Sequence, residues 1–240
     1  MSNMAKVSSR SPVIAIDGPA GAGKSTVAKA IARMFGLRYV STGHIYRALT
    51  LKVLRCGVDI FSEQALTALA RDTKVEIRSG AHGDSRTFLD GEDVSDDISS
   101  PAVDARVSDV AQVRGVRDAL LELQRAIGRE GGVVMDGRDI GTVVMPDADL
   151  KIFLVAALDE RVRRRVAQAR ARGYDAPEKS VIEEIARRDR IDSQRETAPL
   201  RPAPDAMIID TTGKTPDETI AEVARLVAEK LKGLPESRRS

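Results

Sequence analysis

Apolar positions along the chain fall into two alternating patterns. Val13–Asp17 (VIAID) is a short continuous apolar run closed by a glycine-rich turn, and from position 25 to position 35 apolar residues recur at helical spacing. Further apolar runs at residues 132–135 (GVVM), 150–156 (LKIFLVA) and 207–210 (MIID) have the length of buried strands, each separated from the next by helical sequence. Strands that are apolar on both faces must be covered on both faces. The pattern therefore predicts an α/β fold: a parallel sheet of about five strands with helices on either side.

Two segments break this alternation. Residues 74–97 (KVEIRSGAHGDSRTFLDGEDVSDD) change to period two with Gly/Asp turns, which predicts a small antiparallel insert. Residues 159–172 (DERVRRRVAQARAR) form an arginine-dense helix ending at Gly173 with Pro177 close behind, the pattern of a helical lid. One long helix is expected over residues 105–129. A last helix is expected over 216–231, with Thr215 as its N-cap and Pro216 in its first turn. The division this implies is a core of residues 1–61, 104–158 and 181–232, an insert of residues 62–103, a lid of residues 159–180 and a disordered tail of residues 233–240.

Composition narrows the class. The 240 residues are 42% hydrophobic and 31% charged, with only 3% aromatic and no Trp, so the core has to be aliphatic and no base-stacking platform is available. A net charge of +2 and a pI near 8.7 give no field for coating nucleic acid. Cys56 is the only cysteine, the first dozen residues lack the apolar run of a signal peptide, and no stretch approaches membrane-spanning length. A soluble cytoplasmic protein is expected, without nucleic-acid or membrane partners and working as a monomer. No His/Cys cluster suggests structural zinc; His44, His82 and Cys56 read as ordinary surface, turn and core residues.

The chemistry begins at Gly18-Pro19-Ala20-Gly21-Ala22-Gly23-Lys24-Ser25-Thr26, which satisfies G-x-x-x-x-G-K-[ST] between a predicted strand and a predicted helix. The glycines let successive backbone N–H groups close around a β-phosphate, and the helix adds the positive end of its dipole. Lys24 is expected to bridge the β- and γ-phosphates of ATP, and the Ser25 hydroxyl to ligate Mg2+. The loop alone fits GTPases, motors and kinases. GTPases read guanine with N-K-x-D, and Asn3 is the only Asn in the chain. Asp136, at the end of an apolar run, fits the acidic residue of an ATPase strand, but Arg138 and Asp139 follow it. Arginines beside turns, namely Arg47, Arg138, Arg188 and Arg195, suit the bidentate grip of phosphate oxygens.

The segments GPAGAGKST (18–26), STGHIYR (41–47), DGRDIGT (136–142) and RRDRIDSQRETAPL (187–200), in this order and spacing, closely resemble the bacterial cytidylate kinases over residues 13–231. His44 and Ser41 depart from that family's usual residues. The resemblance implies transfer of the ATP γ-phosphoryl group to CMP or dCMP with Mg2+, and makes the insert a monophosphate-binding region. It implies that Thr42 and Arg47, helped by Arg138, hold the acceptor's phosphate, and that Arg195 makes a second phosphate contact. Arg188 and Asp192 would hold the ribose hydroxyls, while Ser108, Arg117 and Asp139 would read cytosine. Lys24, Arg138, Arg188 and Arg195 are the catalytic candidates, and Arg161 and Arg164 of the lid are expected on the ATP phosphates. Three other readings compete with this one: a kinase for another monophosphate such as UMP, a P-loop protein acting on nucleic acid, and a non-enzymatic nucleotide-binding scaffold.

Overall fold

The computed structural model describes residues 11–79 and 85–235. His82 and positions 236–240 of the expected tail lie outside them. In chain order the described elements are β1 (Val13–Asp17), α1 (Lys24–Met34), β2 (Arg38–Ser41), α2 (Thr42–Cys56), α3 (Glu63–Arg71), β3 (Val75–Ser79), β4 (Ser85–Leu89), β5 (Glu92–Asp93), α4 (Pro101–Ala111), α5 (Arg114–Arg129), β6 (Val133–Gly137), β7 (Leu150–Val155), α6 (Leu158–Ala171), α7 (Glu178–Gln194), β8 (Met207–Asp210) and α8 (Pro216–Lys232). A short 3-10 turn occupies Asp97–Ser99 and a π-helical turn Ile140–Val144.

Five strands form a parallel sheet in the order β2-β6-β1-β7-β8, so β1 is central and the loop that follows it emerges at the middle of the sheet's carboxyl edge. Every residue of β1 and β6 is buried, as continuous apolar strands require when helices cover both faces. On one face Ile14, Ile16, Ile152 and Leu154 pack against Val27 and Ile31 of α1 and Val223 and Val227 of α8. On the other, Val13, Ala15, Val133 and Met135 pack with Ile140 and Val144 of the π-helical turn. A separate aliphatic cluster joins α2, α4 and α5 to the antiparallel sheet β3-β4-β5, through residues such as Leu49, Leu66, Leu89 and Val116. The insert is thus welded to the core helices.

Two details differ from the sequence reading. Four strands were named from apolar runs; the fifth, β2, begins with Arg38, whose guanidinium caps the Gly131 carbonyl at 3.1 Å and pairs with Glu130 at 2.8 Å. A four-residue edge strand opened by an arginine carries little period of its own. The single helix expected over 105–129 is two helices broken at Gln112 and Val113, where Val113 turns extended (φ −66°, ψ 120°) with its side chain buried. No Pro marks the break. Burial of Val113 and a hydrogen bond from the Arg117 guanidinium to the Ala111 carbonyl (3.2 Å) stabilise the corner, which brings α4 and α5 together over the cleft.

Candidate active site

The loop after β1 is locked by its glycines. Gly18 (φ +145°) lies so close to β7 that a Cβ there would sit 2.1 Å from the Leu154 carbonyl oxygen, and Gly21 (φ +81°) so close to α6 that its Cβ would meet that of Arg161 at 2.9 Å. Gly23 (φ +90°) then opens α1 without a side-chain cap, leaving the first N–H groups of the helix facing the loop. Lys24 is buried and donates to the Pro19 carbonyl at 2.7 Å. Burial, then repulsion from Arg138, holds its ammonium well below the ordinary lysine range, against the pull of Asp136, Asp192 and Asp17. Ser25 Oγ donates to Asp136 Oδ2 at 2.7 Å, and the Tyr39 hydroxyl donates to Oδ1 of the same carboxylate at 3.1 Å. Thr42 Oγ1 completes the knot by donating to the Asp136 carbonyl at 3.0 Å.

The DGRD turn continues from β6 into the π-helical turn, and Asp17 anchors it. Its buried carboxylate accepts the backbone N–H groups of Ile140 (2.9 Å) and Gly141 (2.8 Å), while burial outweighs these bonds and pushes its carboxyl up to about 6. Arg138 Nε donates to Asp192 at 2.8 Å. Asp139 accepts from Arg117 on one oxygen and from Arg195 on the other (3.3 Å), so two helices and the turn meet on one carboxylate. Arg195 also donates to the carbonyl of Ala198, a residue in the left-handed region (φ +52°) whose strained turn presents that oxygen. Arg188 Nε is buried without a partner, and burial together with Arg138, Arg47 and Arg165 lowers its guanidinium to about 10. Such a group awaits an anion.

These pieces border one cleft of about 400 Å3. Its lining includes Ala20, Gly21, Gly23, Lys24, Ser25 and Thr26 of the loop region, Ser108, Arg117 and Asp139, and Thr42, Arg47, Arg138, Arg188, Asp192 and Arg195. Of the residues singled out from sequence, Gly18, Pro19 and Ala22 support the loop without lining the cleft. Arg161 and Arg164 approach the loop through its carbonyls, donating to Ala20 (3.3 Å) and Gly21 (3.4 Å), and are otherwise engaged by Asp189 and Glu160. From α6 and its C-terminal cap, Arg165, Gln168 and Arg172 line the cleft. Asp136 was visible in the sequence as a strand-end acid; Lys29 and Tyr39 were not, because neither a helical period nor a short strand says which polar side chain will face a cleft. His44 borders the cleft as well, and burial pushes its imidazole down to about 4, so it is neutral near neutral pH.

An oxygen-rich set of a hydroxyl and a carboxylate already in contact, Ser25 and Asp136, fits a hard divalent ion such as Mg2+. Among the described residues no group of three or more His, Cys, Asp or Glu side chains is placed to hold a metal ion. No helix of the described residues is long and apolar enough to cross a membrane.

Comparison with known proteins agrees with this geometry. The family model for cytidylate kinase matches residues 14–229. A cytidylate kinase of Pelotomaculum thermopropionicum is 51% identical over 90% of this chain and 96% of its own, and one of Geobacillus kaustophilus is 52% identical over 91% and 97%. Among solved structures, an uncharacterized protein from Eubacterium ventriosum superposes with a TM-score of 0.51 at 12% identity, covering 92% of this chain and 99% of its own, which speaks for the fold alone. With half of its residues shared along nearly the entire length of such relatives, and with the phosphate loop, DGRD turn and arginine wall meeting in one cleft, the chain belongs to the cytidylate kinase family.

Proposed function

We propose that the cleft transfers the γ-phosphoryl group of ATP to the phosphate of CMP or dCMP, giving ADP and CDP or dCDP. The observation that carries this reading is the meeting of unlike groups in a single cleft: a phosphate-cradling loop, a buried Arg117–Asp139 pair with Ser108, and a set of further arginines. In the reaction an acceptor phosphate oxygen attacks the γ-phosphorus in line, the bond to the β–γ bridging oxygen breaks, and that oxygen leaves with ADP. The acceptor is already an anion, so no general base is needed. Lys24, Arg138, Arg188 and Arg195 hold the two polyanions at attacking distance and match the charge that spreads over the transferring group. Ser25 and Asp136 would hold Mg2+, which would neutralise charge on the triphosphate.

Cytosine offers an amino donor at N4 and acceptors at N3 and O2, which an Asp and an Arg complement; uracil reverses the polarity at N3 and position 4. Each buried mismatch costs about 1–3 kcal/mol, enough to reject the analogue. In this reading residues 62–103 belong to the acceptor side, residues 159–180 close over ATP and exclude water, and the enzyme works as a cytoplasmic monomer. The decisive assay offers purified protein ATP, Mg2+ and each nucleoside monophosphate in turn and follows ADP. CMP and dCMP should be strongly preferred; equal rates with UMP, or hydrolysis without transfer, would sink the assignment.

A further inference from the structure

Asp104, in the first turn of α4, has no place in the loop, the DGRD turn or the base-reading set, and it does not line the cleft. Yet three arginines that do line the cleft converge on its carboxylate. Arg47 NH2, from α2, donates to Oδ1; Arg165 NH2, from α6, lies 3.0 Å from Oδ2; Arg188 NH1, from α7, lies 4.0 Å from Oδ1. All four side chains are mostly buried, between 9% and 19% exposed. Glu184 of α7 also touches Arg165 (3.5 Å) and Arg188 (3.4 Å), but it lies on the same helix as Arg188. Asp104 alone among these carboxylates reaches across from the helix that carries Ser108.

Like charges this close repel: Arg47, Arg138 and Arg165 each push the Arg188 guanidinium down, and Asp104 pulls it back up. The pull is mutual, since Arg47, Arg165 and Arg188 offset the effect of burial and hold the Asp104 carboxyl below its ordinary range. The guanidiniums border the cleft and the Asp104 carboxylate borders the neighbouring pocket instead, so Asp104 holds them from outside the cleft, with Arg47 NH1 held as well by the Ile98 carbonyl at 3.0 Å. A planar fork fixed on one side loses less freedom when it grips phosphate on the other.

We propose that Asp104 is a positioning residue that gathers Arg47, Arg165 and Arg188 into a preassembled grip for the acceptor's phosphate, joining lid to acceptor side before substrate arrives. This rests on the reading of Arg47 as an acceptor-phosphate contact. A second tie between the same helices provides the control: Arg187 of α7 donates to Asp109 (2.9 Å) and to the Ala105 carbonyl (2.8 Å) of α4 and does not line the cleft. Removing it loosens the helix contact without unhanding the arginines.

Steady-state kinetics on the full-length protein, with CMP and ATP varied separately and the thermal midpoint measured for each variant, test the idea. Asp104→Asn, which keeps the shape and removes the charge, should raise KM for CMP about tenfold or more while KM for ATP moves less than about threefold, the cost expected when reacting groups are misplaced by about an ångström. Asp104→Glu should restore part of the loss, and it carries the test if the Asn variant fails to fold, by an acceptor-specific shift of smaller size. Asp109→Asn should leave KM for CMP near that of the parent. The proposal is overturned if Asp104→Asn leaves KM for CMP within twofold, if Asp109→Asn raises it equally, or if both KM values rise alike while the midpoint drops. Arg47→Ala separates the layers: an unchanged KM for CMP there would remove the acceptor reading itself and Asp104's role with it, whereas a raised one beside an unaffected Asp104→Asn would remove only the latter.

Discussion

The Asp139 carboxylate is shared between Arg117 and Arg195 and is buried with both. Asp139→Ala leaves two buried guanidiniums without their counter-ion, so CMP turnover should fall by about two orders of magnitude or more, and the ratio of CMP to UMP rates should fall with it; parallel rate measurements on both acceptors read this directly. Two other buried groups titrate in opposite senses. Asp17 holds its proton up to about 6 when folded but only to about 4 when unfolded, so its contribution makes stability fall as pH rises through that window. His44 ionises near 4 when folded and near 6.5 when unfolded, so its contribution makes stability rise with pH between those values. Urea titrations at a series of pH values should therefore show a steeper rise from pH 4 to 6 in Asp17→Asn than in the parent, and a shallower rise or a fall in His44→Gln. The residue types of the loop and of the arginine motifs were legible in the sequence because glycine and arginine there do what few other side chains can. Their partners were not: nothing local says that Asp17 will meet an amide 123 positions on, or that Asp104 will meet three arginines from three helices.

Elements read from sequence succeeded where a local rule ends them and failed where tertiary contact does. α8 opens as expected at Thr215, whose hydroxyl accepts from Glu218 N (3.2 Å) while the Glu218 carboxylate accepts from Thr215 N (2.8 Å), a reciprocal cap. Thr215→Ala should cost about 1 kcal/mol and lower the thermal midpoint by about 2–4 °C, measured calorimetrically, with no change in KM for either substrate. The break between α4 and α5 has no such signature; it exists because Val113 finds a buried seat and Arg117 a carbonyl. In helix α6, Arg161 and Arg164, expected on ATP, donate to carbonyls of the phosphate loop, and Arg165 and, at the helix end, Arg172 line the cleft. A periodic polar face fixes the angle between side chains, not the rotation at which the helix docks. Gly21→Ala tests the docking, because the new Cβ would press on the α6 backbone at a left-handed position; ATP affinity measured by calorimetry should drop about tenfold or more while CMP binding is retained.

At the scale of the molecule, the proposed function has the two substrates held by different parts of the fold: the triphosphate by the loop after β1 of the parallel sheet, the acceptor by residues of α4, α5 and the DGRD turn. Binding at the loop alone should therefore stabilise the chain. ATP with Mg2+ at about a hundredfold its Kd should add about 2.7 kcal/mol and raise the thermal midpoint by several degrees, and Lys24→Ala should abolish most of that rise in a differential scanning experiment. Fold class was legible because parallel strands announce themselves by continuous apolar runs; strand order was not, since it depends on which run finds which neighbour. That order has a consequence for biosynthesis. β1 is the first strand to be made, but its partners β6 and β7 begin 120 and 136 positions later, at Val133 opposite Val13 and Leu150 opposite Ile14. On a ribosome adding about 5–20 residues per second, VIAID waits on the order of ten seconds or more before either neighbour emerges. Until then the glycine loop has no β7 carbonyl to rest on and no Asp136 for its serine. The nascent chain therefore passes most of its synthesis unable to bind the nucleotide, carrying an aliphatic segment that a holding chaperone would recognise.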